Sequence, residues 1–418
     1  MYDWANSAFA TIVMAGFFPV FFKEYWSSGV DATVSTFRLG LVSSFSSIVM
    51  VALSPMLGAI ADKGRCAKEM LVWLSLLGIA STALLCVAGK GAWISAGLLY
   101  LFAVTGFLGA CIFYDALLIT VTGRQDMDRV SACGFGAGYL GGGIALAVCV
   151  ALVFFYQAFG LDRPEQAVRF SFFFAAFWWL VFMLPAIVWI PSETKTRQTV
   201  REPVKTAAYG LWQNTKTGVC ELRMHFRRLM ADRNTTLFLG AYWLYIDGVD
   251  TIIRMAIDYG IAIGFTSEKL ILALLLVQFI GAPASLLFGA TARRFGQKKT
   301  LMVGIGIYAG ITVWGFLMSK QWEFYAIAVA IGLVQGGVQS LSRSMFAGFV
   351  PTSEESSFFG FYNMLGRFAA ILGPLLMGLT SLLSESSRLG MLSVLLLFVG
   401  GALLLSMVKE PSQNTIKA

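Results

Sequence analysis

The chain has 418 residues, 57% of them hydrophobic and only 13% charged, whereas a soluble domain carries about 25% charged residues. A soluble fold is therefore excluded. The net charge of +8 raises nucleic-acid binding as a possibility, and the placement of the basic residues below excludes it. His225, the one histidine, lies in a polar stretch, so a histidine metal site or proton relay within a membrane is excluded as well.

Apolar runs separated by polar breaks fall at 3–25, 36–61, 69–88, 92–121, 131–156, 167–190, 235–263, 268–291, 300–318, 322–346, 357–381 and 388–408. Each reaches or approaches the roughly 20 residues that cross a bilayer core as a helix. Barrel strands would alternate in polarity over about ten residues, and no such alternation occurs. The expectation is an all-α membrane protein of twelve spans, numbered 1 to 12 in this order. Span 1 is long enough to cross and lacks a basic leader, so it is read as a span and not as a cleavable signal peptide.

Most of the 31 Lys and Arg fall in the breaks that share a side with both termini, above all in 191–233. The positive-inside rule places that side in the cytoplasm, and a bacterial inner membrane is the expected location. The basic excess is thus a topology signal. Segment 191–233 splits the chain into 1–190 and 234–418, six spans each; it is either a solvated linker or an amphipathic helix lying on the anionic leaflet.

The two halves echo each other. "GAIADKGRCAK" (58–68) follows span 2 and "GATARRFGQKK" (289–299) follows span 8. This six-plus-six order, with a Gly-led basic loop after the second span of each half, resembles the major facilitator superfamily. The resemblance implies two pseudo-symmetric six-helix bundles around a central cavity, with substrate near the midplane. "YDWANSAFAT" (2–11), "YIDGVDTIIRMA" (245–256) and "FYDALL" (113–118) are similar to the signatures of one branch, once called the unknown major facilitator family. That branch includes the vacuolar amino-acid effluxer of yeasts. Asp3 and Asn6 align with Asp247 and Asp250, but little chain precedes Asp3, so the numbered start is expected to lack the beginning of span 1.

In the basic loops, Gly58 and Gly289 permit close helix approach, and Arg65 sits at the anionic surface. Asp62 is expected to cap span 11 near 351–355, and its counterpart Arg293 to meet Asp126 or Asp128 ahead of span 5. Both contacts would latch the cytoplasmic side.

Within the spans lie Asp3, Asp115, Asp247, Asp250, Asp258, Arg254, Arg343 and Arg367. A charge at the bilayer centre costs roughly 2.5–3.5 kcal/mol, so each needs a partner or a wet cavity. Asp247, Asp250, Arg254 and Asp258 fall at about 0°, 300°, 340° and 20° on a helical wheel, which is one stripe. They form either a cavity face or an internal network of i,i+4 pairs. The family implies that spans 1, 4, 7 and 10 line the cavity, which puts Asp3, Asn6, Asp115, the span-7 stripe and Arg343 there. Asp250 beside Arg254 is expected to stay ionised, with Asp247 or Asp115 binding the proton. Gln278, Gln335 and Gln339 are further polar candidates, either for substrate or for joining helices. Gly134, Gly138 and Gly142 in span 5, with Gly332 and Gly336 in span 10, are expected to pack the interface that rocks.

The six cysteines (Cys66, Cys86, Cys111, Cys133, Cys149 and Cys220) show no CxxC and read as free thiols. There is no phosphate loop, metal cluster or catalytic triad, so neither an enzyme nor a cofactor is expected. The reading is a monomeric secondary transporter of a small solute, foremost an amino acid or similar zwitterion, with proton coupling through carboxylates. A transporter of a lysolipid or other amphiphile and a non-transporting scaffold or sensor are the alternatives.

Overall fold

The computed structural model describes residues 1–30, scattered residues from 38 to 57, 66–122, 126–190, 232–262, 267–350, 355–384 and 386–410. Gly58, Asp62 and Arg65 lie outside the described residues, as does 191–231. All regular structure described is helical. Span 1 is Tyr2–Trp26, span 3 Ala67–Val87, span 4 Trp93–Thr122, span 5 Met127–Phe154 and span 6 Pro164–Trp189. Span 7 is Arg233–Ala262, span 8 Ser267–Phe295, span 9 Gln297–Leu317, span 10 Gln321–Ala347 and span 11 Glu355–Ser384. Span 12 comes in two pieces, Ser387–Ser393 and Leu395–Met407. Span 2 is represented only by its scattered helical residues.

Among the described residues nine helices are long and apolar enough to cross a bilayer, and spans 7 and 11 are not among them. Span 7 runs for 30 residues, ample length, and its stripe of charge dilutes its hydropathy. Such a helix is stable in lipid only when neighbours cover the stripe. Its N-terminus is fixed by Asp232, whose carboxylate accepts hydrogen bonds from the Thr235 hydroxyl and the Thr235 amide (2.9 Å). Those donors hold the Asp232 carboxyl below its ordinary range.

Two apolar cores form, one within each half. Phe9, Trp26, Phe113 and Trp179 fill the first, whereas Tyr245, Tyr308, Phe346 and Phe359 fill the second. The halves meet where span 5 packs on spans 8 and 10 and where span 4 packs on span 11. Small residues make the first contact close. A β-carbon on Gly136 would lie 2.9 Å from Ser285 Oγ, and one on Gly289 would lie 2.6 Å from the Ala132 Cβ. The expected glycine ridge proves to face elsewhere. Gly134, Gly138 and Gly142 abut Asp3, Ser7 and Thr11 of span 1, within the same half, and Gly332 abuts span 8 in its own half. Gly336 does reach across, to Tyr139, as does Gly143 beside Gly142, to Gln278 of span 8, and Gly134 also neighbours Arg343. Periodicity marks a flat face but does not say which neighbour uses it. All five described cysteines are free.

Replacing Gly289 by Val must push spans 5 and 8 apart, an overpacking cost of about 1–3 kcal/mol. Gly306→Ala, where a β-carbon meets nothing within 4 Å, is the control. Thermal unfolding of the purified protein in detergent should fall for Gly289→Val and hold or rise for Gly306→Ala.

Candidate functional site

A cavity of about 1250 Å³ lies between the halves, lined from spans 1, 2, 4, 5 and 7 to 12. Its floor is a charge cluster toward the end that carries the termini. Arg343 of span 10 donates from Nη1 to Asp115 Oδ1 of span 4 at 2.9 Å, with both side chains nearly buried (5% and 11% exposed). Its Nε donates to Ser131 Oγ (3.1 Å) and its Nη2 to the Ser131 carbonyl (3.3 Å). The other oxygen of Asp115 accepts from Asn363 Nδ2 of span 11 (3.3 Å). Asp3 stands farther off, 3.9 Å from Nη2, and its carboxylate accepts from the Tyr114 hydroxyl. The guanidinium also lies over the Phe135 ring at 4.6 Å. Two carboxylates thus share one guanidinium, leaving the floor one negative charge in excess.

Span geometry puts this cluster lower than expected. Arg343 stands one turn before the end of its helix at Ala347, and Asp115 two turns before Thr122. The floor therefore lies near the terminus-side surface, not at the midplane. Asn6 is buried and donates to Cys111 Sγ (3.7 Å). It also lines the cavity, as do Gln278, Gln335, Gln339 and Asp250.

The span-7 stripe divides. Asp247 is fully buried and does not line the cavity; both its oxygens accept the Gly373 amide at 2.9 Å, and Thr251 lies at 3.5 Å. The reason lies in span 11. Pro374 has no N–H and its ring pushes back the preceding turn, so the local helix ladder is disturbed and the Gly373 amide turns to a side-chain acceptor. Gly373 is required there, since a β-carbon would fall on Thr251 and 2.8 Å from Asp247. The expected cavity-facing Asp247 is thus corrected: it does not line the cavity, and its carboxylate holds the backbone of span 11. Asp250, one turn on, is half-buried and faces the cavity, and no hydrogen bond or ion pair among the described residues reaches it. The side chains of Arg254, Asp258 and Arg367 lie outside the described residues.

Beneath the floor a second layer joins the halves. Asp128 Oδ1 of span 5 accepts from Gln297 Nε2 (2.6 Å) and from the Ser344 hydroxyl. Ser131 donates to the Ser340 carbonyl at 3.0 Å. The acid expected to meet Arg293 is met by Gln297 instead, and Arg293 and Asp126 are exposed. The contact joins the same loop to the same acid through a neutral donor four residues on, because the loop turns at Gly296 (φ +95°) and starts span 9 with Gln297 against span 5. Lys298 instead donates to the Ser406 and Val408 carbonyls, at 2.6 and 2.7 Å, tying the loop to the end of span 12.

A family profile described as "Vacuole effluxer Atg22 like" matches residues 27–415. The chain belongs to the Atg22-like family. It is 37% identical over all 418 residues to the uncharacterized MFS-type transporter YxiO of Bacillus subtilis (strain 168), covering 95% of that protein. Autophagy-related protein 22 of Yarrowia lipolytica is 26% identical over 290 residues, 63% of this chain and 47% of that protein, so the chain spans about half of that relative's length. The human organic anion transporter MFSD10 (TETRAN) shares the fold with a TM-score of 0.71 at 15% identity, covering 97% of both chains. This Atg22-like chain is therefore a multi-pass membrane transporter with the major facilitator fold, and its relatives are transporters rather than enzymes.

Several residues of the Atg22-like site carried no sequence signal strong enough to single them out. Tyr114 stands inside the quoted "FYDALL", and its hydroxyl proves to be the donor to Asp3. Asn363, Ser131, Ser344 and Gln297 are uncharged in polar-tolerant positions and acquire meaning only through their partners. Gly134 makes room for the Asp3 carboxylate, which a β-carbon would strike.

Asp247→Ala leaves the Gly373 amide buried without an acceptor, a loss of about 1–3 kcal/mol. Asp247→Asn keeps one acceptor oxygen and should cost less. Thermal unfolding should rank wild type above Asn above Ala; equal midpoints for wild type and Ala would show that Asp247 does not support span 11.

Proposed function

We propose that this protein is a secondary active transporter of an amino acid or similar small zwitterion, working by alternating access and driven by protons. Its halves are 1–190 and 234–418, joined by the basic segment 191–233. Both termini lie in the cytoplasm of a bacterial inner membrane, and the transporter works as a monomer. In that orientation the two layers at the floor close the cytoplasmic side and the cavity faces outward.

The observation that carries this reading is the uneven use of Arg343. Nη1 is held at 2.9 Å by Asp115, whereas Asp3 lies 3.9 Å from Nη2. A ligand carboxylate can take the Nη2 position, displacing Asp3 without stripping Arg343 of Asp115. The displaced Asp3 then offers its carboxylate to the ligand's ammonium, still held by Tyr114. One site thus reads both charges of a zwitterion, and Arg suits it because its planar fork can bond two acids at once. The excess acid at the floor supports coupling, since a proton or the cargo's ammonium supplies the missing positive charge. When the halves part on the cytoplasmic side, Arg343 must leave Asp115, and a bound carboxylate softens that step.

A second reading, an amphiphile carrier, is favoured by the upper walls. Met14, Phe18, Leu108, Ile253, Val277 and Ile331 make the cavity above the floor largely apolar.

Counterflow in proteoliposomes across the twenty common L-amino acids decides among them. At least one amino acid should exchange saturably, Arg343→Lys should reduce its exchange about tenfold or more, and Asp3→Asn should raise its half-saturation. Movement of a lysolipid with no amino-acid exchange would favour the amphiphile. Absence of flux for both classes would overturn both cargo readings.

A further inference from the structure

Asp250 belongs to neither floor layer. It lies eight residues beyond Tyr242, whose ring stacks at 4.2 Å on Tyr362, the neighbour of the floor residue Asn363. Eight helical residues rise about 12 Å, so Asp250 stands well above the floor, near the middle of its 30-residue helix. Around it the cavity wall is mainly apolar, with Ile246, Ile253, Met255 and Ala256 on the same helix. A half-buried carboxylate in such a wall needs a donor or a cation. Among the described residues no hydrogen bond or ion pair supplies one.

Behind it lies a second unmatched group. Tyr308 of span 9 is within electrostatic reach of Asp250 and is fully buried, and among the described residues its hydroxyl has no hydrogen-bond partner. Buried hydroxyls without partners are rare. The cavity that contains Asp250 is also far larger than a small zwitterion at the floor would fill.

Resting on the zwitterion reading of the floor, we propose that Asp250 receives a second, cationic end of the cargo. The ligand is then an extended molecule with an amino-acid head at Arg343 and Asp3 and an ammonium or guanidinium at Asp250. The vertical gap of about 12 Å between the two levels selects for length, because a compact zwitterion reaches only one of them. Asp250 gains a charge-assisted hydrogen bond, and the apolar wall between the levels accepts the methylene chain of such a ligand. Tyr259 also lines the cavity about two and a half helix turns farther out.

Arginine and citrulline differ at the side-chain end by one charge and little shape, and agmatine is arginine without its carboxylate. Binding of the three to the full chain in detergent is measured by ligand-induced thermal shift across concentration. Wild type should prefer arginine over citrulline by about tenfold or more. Asp250→Asn should erase that preference, while Asp250→Glu should retain it. If the head-group reading fails but Asp250 acts as proposed, agmatine binds, citrulline does not, and Asp250→Asn loses agmatine. The proposal is overturned if wild type binds neither arginine nor agmatine, if it binds arginine and citrulline equally, or if Asp250→Asn keeps the preference. Should Asp250→Asn fail to fold, the wild-type comparison with Asp250→Glu still decides: equal binding of arginine and citrulline by both overturns it.

Discussion

A single buried guanidinium organises the contact between the halves. Arg343 comes from span 10, while Asp115, Asp3 and Ser131 come from spans 4, 1 and 5 of the other half. A charge sequestered from water must be compensated locally, and removal of one partner from such a pair typically costs about 3–5 kcal/mol. The compensation here lies across the boundary that alternating access has to open. Close packing follows the same demand: Gly134 lets span 1 bring Asp3 to the cluster, and Gly136 and Gly289 let span 8 approach span 5 just beside it.

The Asp128 layer works differently from the Arg343 layer. Its acid is met by neutral donors, Gln297 and Ser344, at the terminus-side surface where water competes for each hydrogen bond. Such contacts give geometry more than energy. Ser344 follows Arg343 on one helix, so a shift of span 10 disturbs both layers together. The loop that delivers Gln297 is in turn held by Lys298 on the final carbonyls of span 12. An ammonium at a helix C-terminus meets the negative end of the helix dipole. The first half repeats the arrangement, with Lys68 donating to the Ile190 carbonyl after span 6 at 2.5 Å. The repeated basic loops therefore tie each half to its own last helix.

Much of this was legible in the sequence. The spans, the two halves and the charged stripe of span 7 follow from hydropathy and helical period, since lipid leaves no other place for such residues. Asp115 and Arg343 were both expected at the cavity, and the structure adds that they pair directly. Asp247 was misread for a physical reason. A helical wheel gives a direction, but the partner in that direction, the Gly373 amide freed beside Pro374, belongs to another helix. The roles of Gly134, Gly138 and Gly142 were misplaced for the same reason. Pairing of Arg293 with an acid was a charge argument; the backbone turn at Gly296 delivers the uncharged Gln297 instead.

The internal repeat also exchanged its functional positions. Asp3 faces the cavity and its alignment partner Asp247 is buried between spans 7 and 11; Asn6 is buried and its partner Asp250 is half-buried. Both Asn6 and Asp250 line the cavity, so the first half offers an acid at floor level and the second offers one higher up. A perfectly symmetric carrier would place like charges opposite each other, and two unpaired acids at one level repel. Staggering them along the axis avoids that repulsion and leaves Arg343 to neutralise the lower level alone. It also makes the two ends of the cavity chemically distinct, so a bound molecule has one preferred direction.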